Sequence, residues 1–370
     1  MIYFDNNSTT KPSQTVVQGS NKVLTDFWAN PGSSHRQGEL TRFELSKAKR
    51  HIADLLGIES EDSVAFTSGG THSNKLVIKH ITTGSDCAAY LETEHSSVIE
   101  AFDDRPNLNR FTIPVDDTGI VNLKELELRL SEDKCKAVSI QWANSETGVI
   151  QPIAEIIEMC QFYKATLHVD AAQVVGKIPL DHKLIEAIDF LTFTAHKMHG
   201  PQGVGVIITG NRQPDAVNLF ETNHTPNTPG IILLGMVAKT HQFEEQHLSD
   251  LRDSFEIALL EKLPELIVNG NKETRTPNTT NIQFIGVDGA ALVMKLDLAG
   301  IACSQLSACL KGRPEPSYVL TAMGLSEEAA QSSVRFSFSI FNTQAEVSKA
   351  VEIISHSYSE LRSQSLSLVS

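Results

Sequence analysis

The chain has 370 residues, 41% hydrophobic and 21% charged, an ordinary soluble composition with enough length for a substantial core. Forty-five acidic residues against 31 basic ones leave a net charge of −14, which argues against direct nucleic-acid contact. No apolar run reaches membrane-spanning length and the first residues, Met1-Ile2-Tyr3-Phe4-Asp5-Asn6-Asn7, lack a signal-peptide pattern, so a cytoplasmic protein without a membrane partner is expected.

In chain order, short apolar runs at 64–66, 88–91, 110–114, 137–141, 166–169, 190–194 and 204–208 read as strands, with helical patterns at 123–130 and 153–163 between them. That alternation predicts an α/β fold with a mostly parallel central sheet and helices on both faces. One long helix is expected over 230–260. Beyond it a strand at 281–284, a helix at 289–298, a cysteine-bearing loop at 303–316, a helix at 317–323, a strand at 333–338 and a helix at 343–361 suggest a smaller α/β C-terminal domain. The expected division is a large domain at 15–262 and a small one built from 1–14 and 263–370. The Ser/Leu tail after Arg362 is expected to fray.

Chemistry concentrates where strands end, the ligand side of such sheets. Thr194-Ala195-His196-Lys197-Met198-His199-Gly200-Pro201 follows a strand, and a lysine crowded by hydroxyl and imidazole groups suits Schiff-base chemistry with an aldehyde cofactor. Leu167-His168-Val169-Asp170 ends another strand in a carboxylate that could pair with a pyridine nitrogen; alone it reads as a surface group or a cap. Gln173 reads as a partner for a ring oxygen or as a solvated helix position. Phe66-Thr67-Ser68-Gly69-Gly70-Thr71 opens a helix, where unpaired N–H groups and the Thr71 hydroxyl favour a phosphate; by itself this is also a simple cap. Together these segments point to pyridoxal 5′-phosphate.

His95 could stack on a ring or move a proton, though a lone histidine after a strand is commonly structural. Arg335 sits amid alternating apolar residues, where a carboxylate from the protein or from an amino-acid substrate is its most economical partner. The five cysteines (Cys87, Cys135, Cys160, Cys303 and Cys309) are scattered without metal-type pairs, so reduced thiols and no metal site are expected. Cys309 lies near Lys311 and Arg313, whose charge favours thiolate. Cys303 reads as buried and inert.

The chain resembles the NifS/IscS-type cysteine desulfurases, class V pyridoxal-phosphate enzymes of fold type I. The likeness runs through Tyr3-Phe4-Asp5-Asn6-Asn7-Ser8-Thr9-Thr10, Asn30-Pro31-Gly32-Ser33-Ser34-His35, Glu94-His95-Ser96, Glu146-Thr147-Gly148 and the segments at 67–74, 168–177, 196–205, 307–320 and 332–336. It implies that Lys197 carries the cofactor, Asp170 pairs with the ring nitrogen, Gln173 meets the ring oxygen and His95 lies over the ring. It also implies Gly70, Thr71, Thr194, His196 and Thr225 around the phosphate, Asn30, Asn144 and Arg335 near the substrate, and Cys309 as the persulfide-forming thiol on a long, swinging loop. The partners implied are L-cysteine, a sulfur-acceptor protein and a second copy of the chain as a homodimer.

Two departures stand out. Asn144-Ser145 replaces the family's asparagine pair, and Asp215-Ala216-Val217-Asn218-Leu219-Phe220-Glu221-Thr222-Asn223-His224-Thr225 replaces an arginine-containing segment that reaches the neighbouring subunit. They leave room for another class V activity such as selenocysteine lyase, or for a weak scaffold. The acceptor pathways considered are iron–sulfur assembly, tRNA thiolation and DNA phosphorothioate modification.

Overall fold

The computed structural model describes residues 1–220, 225–305 and 316–369. The chain begins with β1 (Ile2–Tyr3), α1 (Gln14–Asp26) and α2 (Arg36–Leu56). The alternating series follows: β2 (Val64–Thr67), α3 (Gly70–Ile81), β3 (Cys87–Leu91), α4 (Ser96–Asp103), β4 (Asn109–Ile113), α5 (Leu123–Ser131), β5 (Ala137–Gln141), α6 (Ile153–Phe162), β6 (Thr166–Asp170), α7 (His182–Ala187), β7 (Phe190–Thr194) and β8 (Gly205–Thr209). These alternating strands and helices build one seven-stranded sheet in the order β2-β8-β7-β6-β5-β3-β4. β8 runs antiparallel to β2 and β7, and the remaining pairs are parallel. Strands β3, β5, β7 and β8 are buried along their whole length, which is why they read as continuous apolar runs.

The rest of the chain supplies α8 (Thr228–Thr240), α9 (Glu245–Lys262), β9 (Ile267–Asn269), β10 (Thr279–Gln283), α10 (Gly289–Leu298), β11 (Ile301–Ala302), α11 (Tyr318–Ala322), α12 (Glu327–Gln331), β12 (Ser333–Ser337) and α13 (Gln344–Val369). A second sheet has the antiparallel order β12-β10-β9, and β1 pairs in parallel with β11. Around them lies a second core in which Phe4, Phe255, Phe336 and Phe338 pack ring against ring. Ile2 and Phe4 bring the N-terminus into this core.

Three expectations need correction. The single helix over 230–260 is two, because α8 buries Ile231, Leu234 and Val237 in the first core whereas α9 turns Leu248, Leu251 and Phe255 into the second. A straight helix cannot serve both, and the chain bends at His241, whose backbone is extended. The tail continues α13 to Val369. Cys87 and Cys135 form a disulfide: Cys87 opens β3, Cys135 lies just before β5, and the parallel pairing of those strands brings their Cα atoms to 4.7 Å.

Arg275 ties the cores together. Its backbone bridges to Val149 beside the first core, while its guanidinium donates to both oxygens of Glu256 on α9 at 2.6 and 2.8 Å, with both side chains nearly buried. Replacing Glu256 by alanine strands a buried cation, so urea unfolding of Glu256→Ala is expected to show a loss of about 3–5 kcal/mol.

Candidate active site

Three strand ends meet at one cavity of about 170 Å³. At the end of β2 the chain turns through Gly69, whose φ of 152° suits glycine, and enters α3 with no side-chain cap on its first N–H groups. The turn is held by Thr67, whose hydroxyl donates to the Gly69 carbonyl at 3.0 Å and shares a 2.7 Å hydrogen bond with Ser73. Gly205, opening β8, makes room for it: a Cβ there would stand 2.4 Å from the Gly69 carbonyl. Gly70, Thr71 and Thr194 thus face the cavity at a helix N-terminus, where the dipole and unused donors favour a phosphate.

β6 delivers Asp170, which is 8% exposed. Asn74 Nδ2 donates to one of its oxygens at 2.8 Å and the Ala172 amide to the other at 3.0 Å. Thr192 on β7 donates to Asn74 Oδ1 at 2.6 Å, so the amide cannot present its oxygen to Asp170. These donors hold an anion in place, and the acidic end faces the cavity opposite the N-terminus of α3.

β7 ends at Thr194 and continues into a single 3-10 turn, Ala195–Lys197, that brings Lys197 to the cavity. His196 Nδ1 shares a 3.1 Å hydrogen bond with the Thr9 hydroxyl, and the turn is closed by His199, a non-glycine residue with a φ of 64°. His95 caps α4 by accepting from the Ser97 amide at 3.2 Å. Burial, then the neighbouring Lys197, pushes the His95 imidazole down to about 4, with Asp170 partly opposing. Burial and Lys197 likewise bring His196 to about 4. Both rings are therefore neutral bases near pH 7.

Arg335 on β12 enters from the second core and is 2% exposed. Its Nη2 donates to Asp5 Oδ1 at 2.5 Å and to the Ser8 hydroxyl at 2.7 Å, and its Nη1 donates to the Ser145 carbonyl at 3.0 Å. The protein carboxylate considered from sequence is thus Asp5, held through one oxygen, and the guanidinium still lines the cavity.

Of the residues anticipated, Gly70, Thr71, His95, Asp170, Thr194, His196, Lys197 and Arg335 share the cavity wall. Gln173 is not among those lining it: its amide donates to the Asn7 carbonyl at 3.2 Å and its oxygen accepts from Lys177 at 2.6 Å. Asn144 also turns away, its oxygen accepting from the amides of Glu146 and Thr147 at 2.8 and 2.9 Å to shape the loop, and it is Ser145 that reaches the wall. Asn30 and Thr225 are exposed and touch each other at 3.4 Å away from the lining. Cys309 lies outside the described residues. Asn7, Ser8, Asn74 and Ser97 line the cavity without having been singled out. Asn74 had a sequence signal, since it sits one helical turn beyond Gly70 and Thr71 on the same face.

An amine beside a neutral imidazole, a hydrogen-bonded carboxylate at one end and an uncapped helix start at the other match the aldehyde, pyridine nitrogen and phosphate of pyridoxal 5′-phosphate. Among the described residues no cluster of three or more His, Cys, Asp or Glu is placed to hold a metal ion, and no helix is long and apolar enough to cross a membrane.

Below the cavity His168 is fully buried between the hydroxyls of Ser139 at 2.8 Å and Thr192 at 3.0 Å, and burial lowers it to about 4. Because the unfolded chain binds this proton near pH 6.5 and the folded chain only near 4, acid removes stability across that interval. The stability advantage of the natural protein over His168→Gln, measured by denaturant unfolding, is expected to shrink between pH 6.5 and 4 by up to about 1.4 kcal/mol per pH unit.

Comparison with known proteins agrees with this geometry. The family model described as aminotransferase class V matches residues 2–350. A cysteine desulfurase of Sinorhizobium fredii is 35% identical, with 98% of this chain and 97% of that protein aligned. Cysteine desulfurase 2 of Trichormus variabilis is 37% identical over 96% of this chain and 92% of its own length. Among solved structures, the NifS-like protein from Rickettsia africae superposes with a TM-score of 0.86 at 30% identity, covering 97% of this chain and 99% of that one.

Proposed function

The chain belongs to the aminotransferase class V family and is a pyridoxal-phosphate-dependent cysteine desulfurase; we propose that it converts L-cysteine to L-alanine through a persulfide on Cys309 that passes to an acceptor protein. The observation that carries this reading is the convergence of Lys197, Asp170, His95 and Arg335 on one cavity from two separate cores.

Bound there, pyridoxal phosphate supplies an aldehyde for the substrate amine and a protonated ring that accepts charge from the α-carbon. Lys197 would hold the cofactor and move the α-proton at its Nζ. Asp170, held by Asn74 and the Ala172 amide, would supply the counter-charge for the ring nitrogen. His95 is uncharged at neutral pH, so it is able to accept a proton at its free nitrogen without first losing one. Arg335, which lines the cavity, offers its guanidinium to the substrate carboxylate. The Cys309 thiolate attacks the substrate sulfur: the S–S bond forms, the Cβ–S bond breaks, and the carbon electrons take up a proton to give alanine.

A protein acceptor suits a chain of net charge −14 better than direct delivery to nucleic acid, whether the sulfur is destined for iron–sulfur clusters, thiolated tRNA or phosphorothioate DNA. A homodimer is supported by exposed apolar side chains on α1 and α2, Val17, Leu24, Leu40 and Phe43, and by Trp28 just beyond α1, which is 71% exposed. In the replaced segment, Ala216, Val217 and Phe220 are buried in the chain's own core, so these three residues are not available to reach a neighbouring subunit's phosphate. Cofactor retention should therefore be weaker than in relatives with the arginine-containing segment. We also assign Asn30 and Thr225 to a role completed across the dimer, supported by their exposure together.

The reading is tested by mixing the cofactor-loaded protein with L-cysteine and quantifying alanine and sulfide. Cys309→Ala is expected to lower alanine formation by about two orders of magnitude or more. Undiminished alanine from that variant would remove the persulfide step.

A further inference from the structure

Lys177 is a second amine of this site, and it is used in an unusual way. It is 5% exposed and its Nζ donates two hydrogen bonds, to Asn7 Oδ1 at 2.7 Å and to Gln173 Oε1 at 2.6 Å. Both acceptors are neutral amides. The charged groups that bear on it are the cations Lys197 and Arg335, with the His199 imidazole also close, and no carboxylate hydrogen-bonds it among the described residues. An ammonium has three N–H groups to satisfy, whereas an uncharged amine has two, the number of acceptors present. Burial together with Lys197 and Arg335 holds Lys177 well below the ordinary lysine range, in agreement with that count.

The consequence runs through Asn7, which lines the cavity. With its oxygen claimed by Lys177 and by Asn278 Nδ2 at 3.0 Å, Asn7 must turn its own amide nitrogen outward. That nitrogen donates to the Ser145 carbonyl at 3.0 Å and to the Thr279 hydroxyl at 2.9 Å. The same Ser145 carbonyl accepts from Arg335 Nη1 at 3.0 Å. Lys177, Asn7, Ser145 and Arg335 therefore form one chain of hydrogen bonds from the loop after β6 to β12. A methionine would fill the same volume without the cost of burying an amine, so packing alone does not account for a lysine here.

We propose that Lys177 is a positioning residue for the substrate carboxylate: a buried donor that locks Asn7 and, through the Ser145 carbonyl, sets the Arg335 guanidinium. The proposal rests on the reading that Arg335 receives the carboxylate of L-cysteine.

The test compares Lys177→Met, Asn7→Ala, their double variant and Arg335→Lys in cofactor-loaded protein. KM for L-cysteine and, by calorimetry, Kd for L-alanine are measured. Lys177→Met is expected to raise both constants about tenfold, the scale of one net hydrogen bond, with kcat within about threefold of the natural enzyme. The double variant should be no weaker than Asn7→Ala alone, because the two residues act in series. Unchanged KM and Kd, a fall confined to kcat, or additive losses would overturn the proposal. If Arg335→Lys weakens binding and Lys177→Met does not, the proposal alone fails. If Arg335→Lys leaves both constants unchanged, the reading of Arg335 fails and takes the proposal with it. Should Lys177→Met not fold, Lys177→Gln, which keeps a donor but shortens its reach, decides in its place: a raised KM upholds the proposal and an unchanged one overturns it.

Discussion

The buried carboxylate of Asp170 is the point from which the rest of the site takes its geometry. A charge removed from water must be met by fixed donors, and here two meet it, Asn74 on α3 and the Ala172 amide in the loop after β6. Asn74 on α3 donates to it only because Thr192 on β7 holds the Asn74 oxygen. Thr192 is in position because β6 and β7 pair in the register that sets Asp170 against it. A slip of one residue would turn Thr192 to the opposite face of the sheet and release Asn74. The same register carries Thr194, two residues on, to the cavity wall. Strand pairing, helix docking and the electrostatics of the cavity are thus one constraint seen at three scales.

The distance between the ends of the site is set by the first ten residues. Ile2 and Phe4 are buried in the second core, Asp5 and Ser8 clamp Arg335, and Asn7 ties Lys177 to Ser145. Farther along, the Thr9 hydroxyl meets His196, while the Thr10 hydroxyl donates to the His196 carbonyl and accepts from the His199 amide. The turn bearing Lys197 and the strand bearing Arg335 are in this way bonded to one short strap. Catalysis by positioning depends on such tolerances, because a misplacement of about 1 Å is costly.

Much of this was legible because its signals are local. A carboxylate closing an apolar strand, a glycine turn opening a helix and a lysine amid histidines each sit within a few residues of their own strand end, and the order of strands brings those ends together. What was not legible depended on competition between partners. Asn144 and Gln173 carry amides that would serve a ligand, yet nearer groups claim them: the loop amides of Glu146 and Thr147 in one case, Lys177 and Asn7 in the other. The break between α8 and α9 carries no glycine or proline. It arises because two apolar faces are drawn to different cores. The Cys87–Cys135 bond joins positions 48 residues apart, which only the pairing of β3 with β5 brings together.

By itself the sequence determined the α/β architecture, the cofactor chemistry and most of the residues of the cavity wall, since periodicity and strand-end motifs are properties of contiguous residues. The tertiary structure alone decided which polar groups remain available. It gave Arg335 the Asp5 carboxylate, left Gln173 and Asn144 outside the cavity lining, and gave the Lys177 amine two amide oxygens. The physical reason is that a hydrogen-bonding group goes to whichever partner folding brings nearest, and that choice is made between segments far apart in the chain.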